Sequence, residues 1–192
     1  MRFMIAVLAL FTVATNVLPA QAAVTVICRE MDGDVVFEAS GTLNVAGWTE
    51  FENSEFTEFS RIRPSASIVL VGPNPAVLAD LYREPMNFVV PDNFGPGGDV
   101  YATNGTGDPI GIRSTPDTGG AELVVPEGFV SGNQISGTAV YENVSFDDLG
   151  MVVGNYAWTW GSGPDADSFR LEVRNTVPAE QSSWGMIKVL FR

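Results

Sequence analysis

The sequence predicts an all-β fold: a jelly-roll-like β-sandwich of about nine to eleven short antiparallel strands, with one short helical turn. Three observations lead there. Apolar residues alternate with polar ones in several segments, most clearly Tyr156-Ala157-Trp158-Thr159-Trp160 and Ser168-Phe169-Arg170-Leu171-Glu172-Val173, and period two is the mark of a half-buried strand. Short apolar runs are separated by turn formers, and 20 Gly and 12 Pro are enough to break the chain repeatedly. No long amphipathic helix precedes the last residues, and no fixed sequence period indicates a propeller or solenoid.

The two alternating segments frame the prediction. Gly161 to Asp167 between them has turn composition, so the unit reads as a β-hairpin with one apolar and one polar face. Tyr156, Trp158 and Trp160 then share a face, either as core or as an exposed platform on which sugar rings stack. Each aromatic buries about 150–250 Å², or about 4–6 kcal/mol gross. Leaving three in water forfeits an amount comparable to a domain's net stability of about 5–15 kcal/mol. The arithmetic favours the core.

The remaining elements follow in order. Val24 to Ile27 and Val35 to Phe37 read as strands joined by an Asp32-Gly33 hairpin turn. Gly41 to Val45 continues extended. Trp48 to Phe59, with Glu50, Glu52, Glu55 and Glu58, reads as a solvated edge guarded by charge, rather than a divalent-cation surface. Ser67 to Val71 is a buried strand, Val77 to Tyr82 is open between helix and strand, and Asn87 to Val90 ends at Pro91. Short strands are expected at Val100–Ala102, Ile110–Ile112, Leu123–Val125 and Ile135–Tyr141, the last with Ile135, Gly137, Ala139 and Tyr141 on one side. Ser145 to Gly150 reads as the helical turn, capped by Ser145, with Asp148 three residues on and Gly150 as its left-handed stop.

Residues 1–23 read as a Sec signal peptide: Arg2, the apolar run Phe3 to Phe11, and Ala20-Gln21-Ala22 as a small-x-small cleavage site. Residues 24–175 form the sandwich domain and 176–192 a tail. Export to the periplasm, the cell surface or the medium is the expectation. In the tail, Trp184, Ile187 and Phe191 fall on one helical face, too short a stretch to cross a bilayer, so the tail reads as a sorting or docking segment for a surface or export protein.

Composition excludes several chemistries. A net charge of −13 argues against nucleic acid and anionic membranes as partners. With no histidine, neither a Ser-His-Asp nor a Cys-His system can be built, nor an imidazole-ligated metal site. The single cysteine, Cys28, cannot form an intramolecular disulfide, and Ile27 before it does not suit lipidation, so it reads as a buried strand thiol.

Val24 to Trp48 (VTVICREMDGDVVFEASGTLNVAGW) resembles the mature start of PEP-CTERM-type bacterial extracellular proteins. Val90 to Gly98 and Asn104 to Asp108 are similar to that family's glycine-rich middle, and Leu123 to Ala139, Phe146 to Gly150 and Tyr156 to Val173 extend the resemblance over nearly the whole domain. The resemblance implies export to the surface of an exopolysaccharide-producing cell, and no reaction. The tail departs from the family pattern: Val177-Pro178-Ala179-Glu180 stands where Pro-Glu-Pro is expected, and no transmembrane helix follows.

Two classes of site remain. Asp165, Asp167 and Ser168 offer oxygens to a calcium ion but too few by themselves, unless the fold adds Asp147 and Asp148. Glu122, Glu127, Glu142 and Asp148 are the candidates for a glycosidase pair, which needs two carboxylates about 5–9.5 Å apart. The leading expectation is a non-catalytic matrix protein that binds polysaccharide or a protein partner. The alternative is a carbohydrate-active enzyme, a glycosidase or lyase. A groove with two facing carboxylates would favour the enzyme, and exposed aromatics a binding role.

Overall fold

The structure, a computed structural model, describes residues 23–175 except 57–58, 86 and 115–119. The expected signal peptide and the tail with Trp184, Ile187 and Phe191 lie outside the described residues, as do the side chains of Glu50, Glu52, Glu55 and Glu58.

The first hairpin forms as its sequence dictates. β1 (Ala23–Met31) and β2 (Asp34–Thr42) pair antiparallel around Asp32 and Gly33, which take φ of 55° and 95°. Positive φ at both central residues is the turn whose twist matches two strands, and it explains why Asp-Gly stands there. Then follow β3 (Thr49–Phe56), β4 (Arg61–Arg63), β5 (Ile68–Val71), β6 (Leu78–Arg83), β7 (Val100–Tyr101), β8 (Asn104–Gly107) and β9 (Ile110–Ser114). The chain continues through β10 (Ala121–Pro126), β11 (Gln134–Tyr141), β12 (Gly154–Trp160) and β13 (Asp167–Arg174).

The strands form two sheets. One is six-stranded in the order β12-β13-β1-β2-β11-β8, the other seven-stranded in the order β3-β6-β10-β9-β5-β4-β7. All pairings are antiparallel except that of the first strand with the last: β1 runs parallel to β13, with Val26 beside Leu171. Their inner faces share one core, to which Val24, Val26, Phe37, Ala139, Trp158 and Leu171 contribute from one sheet and Ile62, Val69, Ile112, Leu123 and Val125 from the other. The fold is an all-β sandwich, as expected.

Two details differ from expectation. There are thirteen strands among the described residues, not nine to eleven. The surplus comes from pieces such as Arg61–Arg63 and Asn104–Gly107, which hold no apolar alternation and are strands only because a neighbouring strand pairs with them. The ambiguous segment Val77–Tyr82 is strand from Leu78 onward, and its buried run matches that of β10 beside it. Both are apolar on two faces, since Leu81 and Val124 join Leu70 and Ala79 in a second cluster on the side away from the main core. Burial on both faces erases the alternation on which helix and strand are told apart.

The helical turn is present. The Leu149 N–H donates to the Ser145 carbonyl at 3.1 Å, and the Asp148 N–H to Ser145 Oγ at 3.2 Å. The Asp148 carboxylate reaches back to the Ser145 N–H at 2.9 Å, which closes a capping box. Gly150 takes φ of 60°, and a Cβ there would stand 2.6 Å from the Gly97 Cα. The turn buries Phe146, Leu149 and Met151 in the core. Two 3-10 turns, Pro64–Ala66 and Gly163–Asp165, were not foreseen.

Candidate functional site

The hairpin of β12 and β13 has the expected register: Tyr156 opposite Leu171, Trp158 opposite Phe169, Trp160 opposite Asp167. Trp158 is fully buried and Trp160 is 2 % exposed. The Trp158 ring meets Phe169 edge-on at 5.4 Å, and Trp160 meets Trp48 at 5.2 Å. The Trp160 indole N–H donates to the Asn44 carbonyl at 3.1 Å. Both tryptophans are therefore core, and the row is not a stacking platform: its face looks into the space between the sheets. Tyr156 is half-buried against Phe94, and its hydroxyl donates to the Val152 carbonyl. Among the described residues the exposed aromatics are Phe59 and Tyr101, beside and within the short pair β4–β7. Only their exposure reveals them, because segments that short carry no alternation.

The calcium candidates do not assemble. Asp165 is exposed in the turn, whereas Asp167 is buried with both carboxylate oxygens engaged, one by the Asn44 N–H at 2.5 Å and the other by the Ser168 N–H at 2.6 Å. Burial raises the Asp167 pKa, opposed by those two donors and by Arg170. Asp148 stands at the other end of β1. Ser168 pairs with Ala23, while the turn that carries Asp148 is tied to Glu30, whose carboxylate accepts from the Phe146 N–H. Seven strand steps separate Ala23 from Glu30, about 23 Å. Among the described residues no group of three or more Asp, Glu, Cys or His is placed to hold a metal.

The candidate carboxylates fall in two places, β10 with its exit and the segment after β11. Glu122, 4 % exposed near the start of β10, accepts from Arg113 Nε at 2.6 Å across the β9–β10 pair. Glu127 lies beyond the end of the same strand, and the four steps from Glu122 to Pro126 already span about 13 Å. Glu142 and Asp148 are exposed in the segment after β11, where the Ser145 hydroxyl and N–H hold the Asp148 pKa below the usual range.

A groove of about 640 Å³ lies over the polar face of β12 and β13, lined among others by Asn155, Tyr156, Ala157, Arg170, Glu172 and Arg174. Its one carboxylate, Glu172, is paired with Arg174. The Arg170 guanidinium donates to Ser168 Oγ at 3.1 Å. Cys28 is buried, which pushes its thiol pKa up, with Glu30 adding to the effect. No described helix is long and apolar enough to cross a membrane.

No protein-family model, no curated protein and no solved structure matches this chain.

Proposed function

We propose that the chain is a non-catalytic exported protein of the exopolysaccharide-rich cell surface, of the PEP-CTERM type, acting by binding rather than by chemistry. Residues 1–23 direct export, and residues 176–192 serve as a sorting or docking segment. The observation that carries the reading is the composition of the groove over β12 and β13: it presents one carboxylate, Glu172, already paired with Arg174. Hydrolysis of a glycosidic bond needs two, about 5–9.5 Å apart. The four other carboxylates considered lie outside that groove, and Glu122 is spent on Arg113.

One experiment separates this reading from a carbohydrate-active enzyme. Purified protein is incubated with the exopolysaccharide of its own host, and co-sedimentation and new reducing or unsaturated ends are measured together. The expected result is co-sedimentation with no new ends. Product that accumulates with wild type and disappears with Glu172→Gln would replace the proposal with the enzyme.

A further inference from the structure

A sheet edge is an open row of backbone donors and acceptors, and proteins ordinarily blunt it. Three of the four edges here are blunted. β3 carries Glu50, Glu52 and Glu55 and two register shifts. β7 is two residues long. β8 is glycine-rich and covered by Asn74, whose N–H donates to the Gly105 carbonyl at 3.2 Å. The fourth edge, β12, has seven residues, no charge and no proline.

Among the described residues its outer side is only partly occupied. Thr159 exchanges two backbone bonds with Val89, at 2.8 and 3.0 Å. The covering segment then turns away to the other sheet, where the Pro91 carbonyl accepts from Ser67 Oγ at 2.7 Å. Antiparallel ladders alternate, so the residues that face outward with Thr159 are Ala157 and Asn155, and both are exposed. Exposed valines flank this gap: Val89 and Val90 at one end, Val152 and Val153 at the other.

We infer that the β12 edge is a homodimer contact, in which a second copy of this chain pairs its own β12 antiparallel across a twofold axis at Tyr156. That register sets Asn155 opposite Ala157 of the second copy, and the reverse, so each free N–H and C=O meets a partner. It also brings Val153 of each copy to Val89 of the other, which gathers the exposed valines into two equal patches. β12 begins at Gly154, so the incoming strand ends as it reaches Val89. Two copies of net charge −13 repel each other over most of their surfaces, and this strand carries no charge at the contact.

The test is sedimentation of the purified full chain from about 1 μM to about 1 mM, since a contact this small is weak. The expected mass doubles with concentration, and the dimer strengthens with salt as repulsion is screened. Ala157→Pro removes an N–H that β13 does not use, and Val153→Asp places like charge beside the second copy's valines. Each variant is expected to stay monomeric at wild-type melting temperature. A wild type monomeric throughout overturns the inference, as do variants that still dimerise. A protein that is monomeric as the full chain and dimerises once residues 176–192 are removed would assign the edge to the chain's own tail, which also overturns it.

Discussion

The carboxylate of Asp167 accepts the backbone N–H of Asn44 at 2.5 Å, so the start of the last strand holds the segment after β2, 123 residues earlier in the chain. Its second oxygen accepts the Ser168 N–H. Asp167→Ala strands one buried and one part-buried donor at about 1–3 kcal/mol each, and the expected loss is about 2–4 kcal/mol in chemical unfolding. With both oxygens engaged, calcium is expected to leave the wild-type melting temperature unchanged.

The same carboxylate makes a pH prediction. Burial raises its pKa in the folded protein above the unfolded value, so the folded state keeps this proton to higher pH. Its contribution is then most favourable below the unfolded pKa of about 3.9 and declines as pH rises through the folded value. Asp167→Asn lacks that titration. Melting temperatures from pH 3 to pH 7 should show wild type losing ground to the variant as pH rises. A constant difference would show that Asp167 titrates alike in both states.

Trp158 and Trp160 separate two effects that their shared burial conceals. Truncation of either to Ala is expected to cost about 3–5 kcal/mol. Replacement by Phe should not be equal. The Trp158 indole N–H is buried with no hydrogen-bond partner among the described residues, whereas that of Trp160 donates to Asn44. Trp160→Phe therefore leaves a carbonyl without its donor, and Trp158→Phe removes an unpaired one, so Trp158→Phe is the milder change. Tyr141, whose buried hydroxyl is likewise unpartnered, should accept Phe with no loss of stability.

Glu122 and Arg113 make a pair that is mostly dry, their side chains 6 % and 19 % exposed. Removal of one partner from such a pair costs about 3–5 kcal/mol, because the other charge stays behind. Glu122→Ala should approach that loss, and the double variant with Arg113→Ala should recover part of it. Additive losses in the cycle would show that the two side chains do not interact.

What the sequence disclosed follows from which contacts are local. The β12–β13 hairpin, the Asp32-Gly33 turn and the Ser145–Gly150 turn are each specified by residues within a few positions of one another. Alternation, paired positive φ and a capping box need no distant partner. The parallel seating of β1 beside β13 joins the two ends of the domain, and no local pattern encodes it. The seating of Asp167 is not legible locally for the same reason. Asp167 looked like a free turn acid because Asn44, which occupies it, is remote in sequence. The free edge of β12 becomes visible only when the strand order leaves it without a neighbour.

The capped turn carries a pH dependence of opposite sign to that of Asp167. Hydrogen bonds from the Ser145 hydroxyl and N–H lower the Asp148 pKa in the folded protein. The folded state thus releases this proton more readily than the unfolded chain. The stabilisation is present above the unfolded pKa of about 3.9 and is lost as pH falls through the lowered folded value. The turn buries Phe146, Leu149 and Met151, so its loosening should reach the core beneath it. Ser145→Ala removes one of the two donors and should return the Asp148 pKa toward the ordinary carboxylate value in an NMR titration. Asp148→Asn should flatten the acid limb of the melting curve relative to wild type. An unshifted Asp148 in the wild-type titration would show that the Ser145 bonds do not persist in solution, and the acid limb would then have to originate elsewhere in the sandwich.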